Sequence, residues 1–173
     1  MFFFQSVHDP QQDAKVLRRR AYGVICIEDE RLQRILLRPW PKLSSVPEIV
    51  LLGTWFHDRA SGNRCWLYYN QPCQHRNFLA LRYVVSSRYA SFRTFRGALV
   101  VLDEIARIKQ SDAIVCEVSN PRISDRLLRR WGWERHVHAS RRRHFIKRFY
   151  GTYPDPGEAR RLIPDKDRKR GQD

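Results

Sequence analysis

Two apolar segments on either side of an amphipathic one constrain the fold of this chain more than any other feature. Residues 78–85 (FLALRYVV) are rich in β-branched and aromatic side chains, which favours a strand. The run AIVCEV after Asp112 is apolar except for Glu117, as in a strand that is covered on both faces. Between them, apolar residues recur at helical spacing as far as Lys109, and Ser91 or Thr94 can cap the start of that helix. The pattern therefore predicts a strand, a helix and a second strand in this order.

A second helix is predicted over residues 121–131. Asn120 is a favourable N-cap, and Pro121 suits the first helical position, where its missing N–H costs nothing. Gly132 can adopt the left-handed conformation that ends a helix. Residues 133–137 and 144–149 then predict two closing strands, joined by the basic turn ASRRR.

The N-terminal half is predicted to add further strands. Residues 21–27 (AYGVICI) form a short apolar run that is typical of a buried strand. Leu32, Ile35 and Leu36 lie at i, i+3 and i+4, which favours a short helix over residues 31–38, with a strand as the alternative. From Pro47 onward, the runs EIVLLGTWF and CWLYYN predict a hairpin.

The length of 173 residues suits a single domain with one hydrophobic core. We expect this domain to span residues 21–151, after an N-terminal segment of unclear structure (1–20) and before a disordered, charged tail (152–173). No apolar run approaches the roughly 18 residues that a membrane-spanning helix needs. The start MFFFQSVHDP lacks the basic residues of a secretory signal. We therefore expect a cytoplasmic protein without membrane contact, in which the 4 cysteines serve as small core residues.

The net charge of +15 is concentrated in the body of the chain. Residues 120–150 contain ten Lys or Arg against two acidic residues, and residues 76–101 contain five Arg and no acid. A field of this kind attracts phosphates, either on a nucleic acid or on a nucleotide cofactor. Solubility alone is the other interpretation of the charge.

The order of elements over residues 77–150 resembles the GNAT (Gcn5-related N-acetyltransferase) superfamily. The resemblance rests on the strand, basic loop, helix and strand, followed by NPRISDRLLRRWGW, an Asn-led helix that ends in Gly and an aromatic residue. It implies an α/β (α+β) fold, in which a mixed, mainly antiparallel sheet is flanked by helices in a single domain. It also implies acyl transfer from acetyl-CoA, or from another acyl-CoA, to an amine acceptor.

The resemblance further implies where the cofactor lies. In this family, the strand similar to residues 78–85 parts from its neighbour, and the pantetheine of acetyl-CoA pairs with its backbone. The following loop holds the pyrophosphate, because free N–H groups at a helix start attract an anion. The residues implied to contact acetyl-CoA in this chain are Tyr83, Val84, Val85, Arg88, Arg93, Arg96, Gly97, Ala98 and Asn120.

Part of the family's pyrophosphate motif is present. The motif is Gln or Arg, two residues, Gly, one residue, and Gly or Ala. Counted from Arg93, Arg96 stands where the first Gly should be. Counted from Thr94, Gly97 fits, but Thr is neither Gln nor Arg. Arg88, Arg93 and Arg96 would compensate by charge, since guanidinium groups bind phosphate in a bidentate manner.

A proton donor for the leaving thiolate is not found at its usual place. Many members of the family carry a Tyr in the middle of the Asn-led helix, whereas this chain has Leu127 or Leu128 there. A donor matters because the departing sulfur must be protonated or hydrogen-bonded as the intermediate collapses. The candidate substitutes are Tyr83, Tyr89 and Tyr150.

Glu117 is the candidate general base. It is the only carboxylate inside a predicted core strand, and burial raises the pKa of a carboxyl group toward the value that a base at neutral pH needs. A salt bridge to the surrounding arginines is the alternative interpretation.

Two groups of histidine and cysteine residues are candidates for a binding site. The first group does not match any of the usual spacings of zinc ligands, so no metal site is expected there. It consists of Cys65, Cys73, His75 and His57. His136, His138 and His144 alternate along the closing strands beside a run of arginines. They would either line a site for an acidic ligand or form a solvated basic edge.

Three functions are therefore open. Acyl-CoA-dependent transfer to an amine is favoured, and an inactive GNAT-like binding module would suit the incomplete motif. A nucleic-acid-binding protein would suit the Arg-rich second helix, the RRR turn and the aromatic residues. The sequence contains no Walker loop, dinucleotide fingerprint, G-x-S-x-G elbow or H-E-x-x-H, so those enzyme classes are set aside.

Overall fold

A mixed sheet runs through the residues that the computed structural model describes, which are 4–39, 62–121, 123–136 and 142–164. Its strands are β1 (Gln5–Val7), β2 (Tyr22–Glu28), β3 (Arg31–Arg38), β4 (Arg64–Asn70), β5 (Phe78–Ser86), β6 (Ala113–Glu117), β7 (Glu134–His136) and β8 (His144–Arg148). They lie in the order β1-β3-β2-β4-β5-β6-β8-β7, and each neighbouring pair is antiparallel except β5 and β6. The helices are α1 (Ala14–Arg19), α2 (Phe92–Lys109), α3 (Asp125–Arg130) and α4 (Pro156–Arg161). The predicted fold class, a mixed and mainly antiparallel sheet flanked by helices, is confirmed.

The long helix α2 follows the predicted periodicity. Ser91 caps it, because the Ser91 side chain accepts a hydrogen bond from the Thr94 N–H at 3.1 Å. Its buried stripe includes Ala98, Leu102 and Ile105, which join the core cluster shared with the sheet. The helix thus begins just after the end of β5, and its first turn borders the site described below.

Residues 31–38 form strand β3, so the favoured helix there is wrong and the alternative strand is correct. The register with β2 shifts between Cys26 and Ile27, which leaves Gln33 as an extra residue on β3. Because of this bulge, Leu32 and Ile35 are both buried although they are three positions apart. The bulge therefore imitates the spacing of an amphipathic helix.

Helix α3 begins four residues later than predicted. Its N-cap is Ser124, whose side chain accepts a hydrogen bond from the Leu127 N–H at 3.2 Å. Asn120, the expected cap, instead lies in a turn where its carbonyl accepts from the Ile123 N–H at 3.2 Å. The Arg143 guanidinium also donates to the Asn120 carbonyl, which keeps this carbonyl out of a helical ladder. Gly132 ends the segment with φ 82°, as predicted.

Both ends of the described chain are more ordered than the sequence indicated. Near the N-terminus, β1 pairs with β3, and Leu17 of α1 is fully buried. The expectation of a disordered tail is wrong for α4, which Asp155 caps by accepting from the Gly157 N–H at 2.9 Å. Ala159 and Ile163 are buried, so apolar contacts with α2 and the core outweigh the charged composition.

Three other expectations concern parts of the chain near or outside the described residues. The predicted strand EIVLLGTWF and part of the ASRRR turn lie outside them, whereas CWLYYN is strand β4. Cys26, Cys65 and Cys116 are buried free thiols, as expected, and Cys73 is exposed. Within the described ranges, no helix has the length and apolar character that crossing a bilayer requires.

The sheet divides between its two parallel strands. Strand β5 pairs with β6 from Phe78 to Leu81, and from residue 83 to residue 86 it pairs with β4 alone. The β4–β5 register shifts between Tyr68 and Tyr69, so that Arg82 is an extra residue on β5 at the point of division. A bulge increases local twist and bends its strand. The last part of β5 therefore presents a backbone edge toward a gap.

Candidate functional site

A cavity of about 400 Å³ lies in the gap between β5 and β6. One wall is the part of β5 beyond its pairing with β6, a second is the end of β6 with the chain that follows it, and a third is the start of α2. The lining residues are Leu81, Arg82, Tyr83, Val84, Ser86, Ser87, Arg88, Ala90, Ser91, Phe92, Phe95, Glu117, Val118, Ser119, Asn120 and Ile123. A ligand here would meet a strand edge that β6 does not cover along one side and a helix N-terminus at one end.

A second cavity, of about 320 Å³, lies at the same division on the side of β7 and β8. Its lining residues are Ala80, Leu81, Arg82, Val115, Cys116, Glu117, His136, His144 and Phe145. Leu81, Arg82 and Glu117 line both cavities, so the two spaces adjoin where the strands part. Two molecules could therefore meet beside Glu117.

Glu117 is more exposed than the sequence suggested. Its side chain is 43% exposed, so the expected buried carboxylate is wrong. The Arg142 guanidinium donates to Glu117 Oε2 at 3.5 Å, which is the salt bridge that the sequence left as the alternative. His144 lies directly across from Glu117 in the register of β6 and β8. The carboxylate is thus reachable from both cavities and has one cation and one imidazole beside it.

The loop of residues 87–91, which lines the first cavity, is held rigidly. The buried Ser87 hydroxyl donates to the Gly62 carbonyl at 2.6 Å and accepts from the Arg64 N–H at 3.0 Å. The Ser91 N–H donates to Asn63 Oδ1 at 2.8 Å. These bonds hold the loop against the start of β4.

Of the residues implied to contact acetyl-CoA, the structure brings together Tyr83, Val84, Arg88 and Asn120 around the first cavity. Val85 pairs with Trp66 and is not among the lining residues. The implied pyrophosphate residues Arg93, Arg96, Gly97 and Ala98 belong to α2 and are also not among them, although Phe92 and Phe95 of the same helix are.

Other contacts occupy those four helix positions. Arg93 is 85% exposed and lies 4.0 Å from Glu30, and Arg96 forms an ion pair with Glu158 at 3.7 Å. Gly97 and Ala98 are buried, and a Cβ at Gly97 would meet Leu162 at 3.7 Å. Of the three arginines named as phosphate ligands, Arg88 lines the first cavity, and Arg93 and Arg96 do not.

No tyrosine substitute for the thiolate donor stands out. Tyr83 lines the cavity, but its ring stacks on Tyr68 with centroids 4.2 Å apart. Tyr89 and Tyr150 are 70% and 82% exposed and do not line either cavity. Sequence reasoning missed Ser119, whose hydroxyl follows β6 and lines the first cavity. Its signal was position alone, two residues after Glu117.

The second cavity contains a thiol that is unsuited to nucleophilic attack. Burial raises the pKa of Cys116 to about 12, so the group is a neutral thiol at physiological pH. A covalent acyl-cysteine route through Cys116 is therefore not supported.

Many charges around the site are already paired. Asp125 accepts hydrogen bonds from Arg143 at 2.6 Å and from Arg135 at 3.0 Å, and the bond from Arg143 is the main reason that the pKa of Asp125 is lowered. Arg82 and Arg88 are exposed and have no ion-pair partner in the described parts of the chain. They are the cations that remain available to a ligand in the two cavities.

No three His, Cys, Asp or Glu side chains gather into a metal-binding group among the residues that the structure covers. Cys65 is buried within the sheet and Cys73 is exposed, so the two cysteines weighed as zinc ligands occupy different environments.

Comparison with known proteins returned only distant structural similarity. No protein-family model and no curated protein matches the sequence. A solved structure from Desulfovibrio desulfuricans, assigned as an acetyltransferase of the GNAT family, shares 11% identity and a TM-score of 0.43, covering 84% of this chain and 96% of its own. Nourseothricin acetyltransferase shares 10% identity and a TM-score of 0.42, covering 84% of this chain and 98% of its own. Similarity at this level carries no information about function.

Proposed function

We propose that this protein is an acyltransferase that moves an acyl group from acyl-CoA to an amine. The observation that carries the proposal is the pair of adjoining cavities at the division of β5 and β6, which share Leu81, Arg82 and Glu117. Acyl-CoA would occupy the first cavity and the amine the second. The resemblance of residues 77–150 to GNAT proteins supports the same assignment.

The part of β5 beyond its pairing with β6 is the element that would hold the pantetheine. Strand β6 pairs with β5 only as far as Leu81, and Arg82, Tyr83, Val84 and Ser86 line the first cavity. A pantetheine arm contains two amides, which can pair with a strand edge as another strand would.

The loop of residues 87–91 and the start of α2 would hold the diphosphate. A helix N-terminus offers N–H groups and the positive end of a dipole, and α2 is a long helix of 18 residues. Arg88 adds a full positive charge at the cavity wall. Counted from Arg88, the GNAT motif would place Ser91 and Arg93 at the glycine positions, so both glycines of the motif are absent and Arg88 supplies the charge.

Glu117 is proposed to accept the proton that the amine loses as it attacks the acyl carbonyl. The nitrogen forms a bond to the carbonyl carbon, the carbon–sulfur bond breaks, and the sulfur leaves as a thiolate that takes up a proton. Ser119 and Asn120 line the cavity at this end and are proposed to stabilise the thiolate by hydrogen bonding. General base catalysis of this kind typically contributes about 10²- to 10⁴-fold.

Thermal unfolding with and without acetyl-CoA tests the cofactor assignment. At about 100 times its Kd, acetyl-CoA should add roughly 2.7 kcal/mol, which raises the Tm of a chain of this size by about 5–10 °C. Arg88→Ala should weaken acetyl-CoA binding about tenfold or more, because a charge-assisted phosphate contact is lost.

Arg93→Ala is the matched control for Arg88→Ala, since Arg93 lies in α2 outside the cavity and is 85% exposed. Its acetyl-CoA affinity should match that of the original protein. The absence of any shift at millimolar acetyl-CoA would refute the proposal. A larger effect of Arg93→Ala than of Arg88→Ala would instead refute the placement of the diphosphate.

Two alternatives differ from this proposal in what they bind or in whether they transfer an acyl group. An inactive GNAT-like module would bind acetyl-CoA but show no acyl transfer to any amine. A nucleic-acid-binding role would rest on Arg126, Arg129 and Arg130, which are exposed on α3. However, α3 has only 6 residues and buries Leu128 against the core, so it offers a short basic patch rather than a groove.

A further inference from the structure

We infer that the acceptor in the second cavity is a small amine that also carries an anionic group, either a carboxylate or a phosphate. This inference rests on the proposed function and adds the substrate class. It excludes polyamines and other polycationic acceptors.

The charges that line the two cavities favour an anion. Arg82 lines both cavities and Arg88 lines the first, whereas Glu117 is the only carboxylate among the lining residues that the structure describes. Glu117 is itself bound to Arg142, whose side chain is 71% exposed at the same place. The local field is therefore positive even with Glu117 ionised.

The second cavity offers directional contacts as well as charge. His136 and His144 face each other across β7 and β8, and both line the cavity together with Arg82. Imidazole N–H groups and a guanidinium can each donate a hydrogen bond to a carboxylate or phosphate oxygen. The sequence had left an acidic-ligand site as one interpretation of these histidines, and the cavity supplies the space for one.

The size and walls of the second cavity fit a small molecule. Its volume of about 320 Å³ is at the lower end of the range for small-molecule sites. Ala80 and Val115 are half-buried and add apolar surface, whereas Cys116 and Phe145 border the cavity but are buried. A compact acceptor with one charged end and a short chain would match these surroundings.

A positive field also assists the chemistry that the proposal requires. Nearby cations disfavour the ammonium form of an amine and so increase the neutral fraction that can attack. The same cations repel an acceptor whose only charges are ammonium groups. An anionic group on the acceptor offsets this repulsion and fixes its orientation, while Glu117 remains free to receive one proton.

Pairs of acceptors that differ in the anionic group test the inference, with kcat/KM expressed per neutral amine because the anionic group also raises the pKa of the amine. With acetyl-CoA, glycine is compared with glycinamide, and O-phosphoethanolamine with ethanolamine, while spermidine represents the polycations. The anionic member of at least one pair should have a kcat/KM about tenfold higher or more, as expected for one charge-assisted hydrogen bond. Which pair shows the preference distinguishes a carboxylate site from a phosphate site.

Binding of the acetylated products provides a readout that does not depend on turnover. Calorimetry in the presence of CoA should show tighter binding of N-acetylglycine than of N-acetylglycinamide, or the equivalent preference in the phosphate pair. Arg82→Gln should reduce this preference toward unity. Arg126→Gln, an exposed arginine of α3 outside both cavities, should leave it unchanged.

The possible failures are distinguishable. If spermidine, or the member of each pair that lacks the anionic group, binds or reacts as well as the anionic member, the inference is wrong while the acyltransferase assignment stands. The same conclusion follows if the preference is equal in Arg82→Gln and the original protein. Absence of any acetyl-CoA-induced stabilisation refutes the proposed function itself.

Discussion

At the scale of single residues, substitution of Glu117 gives the clearest test of the proposed chemistry. Glu117→Gln removes the base but preserves shape, so kcat should fall by about 100-fold or more while acetyl-CoA binding persists. Glu134→Gln is a suitable control, because Glu134 is also a strand carboxylate paired with an arginine but lines neither cavity. Steady-state kinetics over a range of pH measure both variants.

The pH profile separates Glu117 from its neighbour His144. Loss of the base should remove the low-pH limb of the kcat profile in Glu117→Gln. If kcat in this variant stays above half of the original value, the base lies elsewhere, and His144 is the next residue to substitute. Equal losses in Glu117→Gln and Glu134→Gln would indicate a general effect on the surface charge instead.

The sequence identified Glu117 but not its setting. A carboxylate in a run of apolar residues suggests burial, yet β6 ends at Glu117, so its side chain reaches solvent. The sequence offered both Arg88 and Arg93 as phosphate ligands. The start of α2 separates them in the structure, since Ser91 caps the helix and leaves Arg88 before it and Arg93 within it.

At the scale of elements, α2 and β8 are joined by a buried ion pair. Lys147 Nζ donates to Asp103 Oδ2 at 2.6 Å, and the two side chains are 13% and 9% exposed. Burial is the main cause that raises the pKa of Asp103 to about 6, although Lys147 opposes the shift. The folded protein therefore binds a proton at Asp103 at a pH where the unfolded chain does not.

This pair predicts a specific dependence of stability on pH. Because the folded pKa is above the unfolded value, the contribution of Asp103 to the free energy of unfolding is full below about pH 4 and is lost as the pH rises through about 6. Relative to Asp103→Asn, the original protein should gain stability between pH 7 and pH 5. Urea denaturation of both proteins at the two pH values measures this difference, and a difference that does not change with pH would contradict it.

Elements with a regular pattern were predictable, and irregular ones were not. Helix α2 follows the period of 3.6 residues, and β5 and β6 are runs of apolar, β-branched and aromatic residues, so all three could be found from the sequence. Strand β3 was misjudged because its bulge at Gln33 changes the spacing of the buried residues. The start of α3 depends on Arg143, which lies 20 residues beyond Ile123 and binds its carbonyl, and no local pattern reveals such a contact.

At the scale of the whole molecule, the division of the sheet organises the site. The order of elements predicted a mixed sheet, and a parallel pair among antiparallel strands is what the structure contains. The sequence could not show that pairing between β5 and β6 stops at Leu81, because this follows from the bulge at Arg82 and from contacts with β4. The net charge of +15 indicated an anionic partner but not which arginines would be available to it.

Amide hydrogen exchange with and without saturating acetyl-CoA tests the central claim, that acyl-CoA lies between β5 and β6, most directly. If the pantetheine pairs with the part of β5 that β6 does not cover, amides in residues 82–86 and in the loop 87–91 should exchange more slowly with the ligand bound. The hairpin of β2 and β3 serves as the internal control and should exchange at the same rate. Unchanged exchange over residues 82–91, or protection confined to other parts of the chain, would contradict the account.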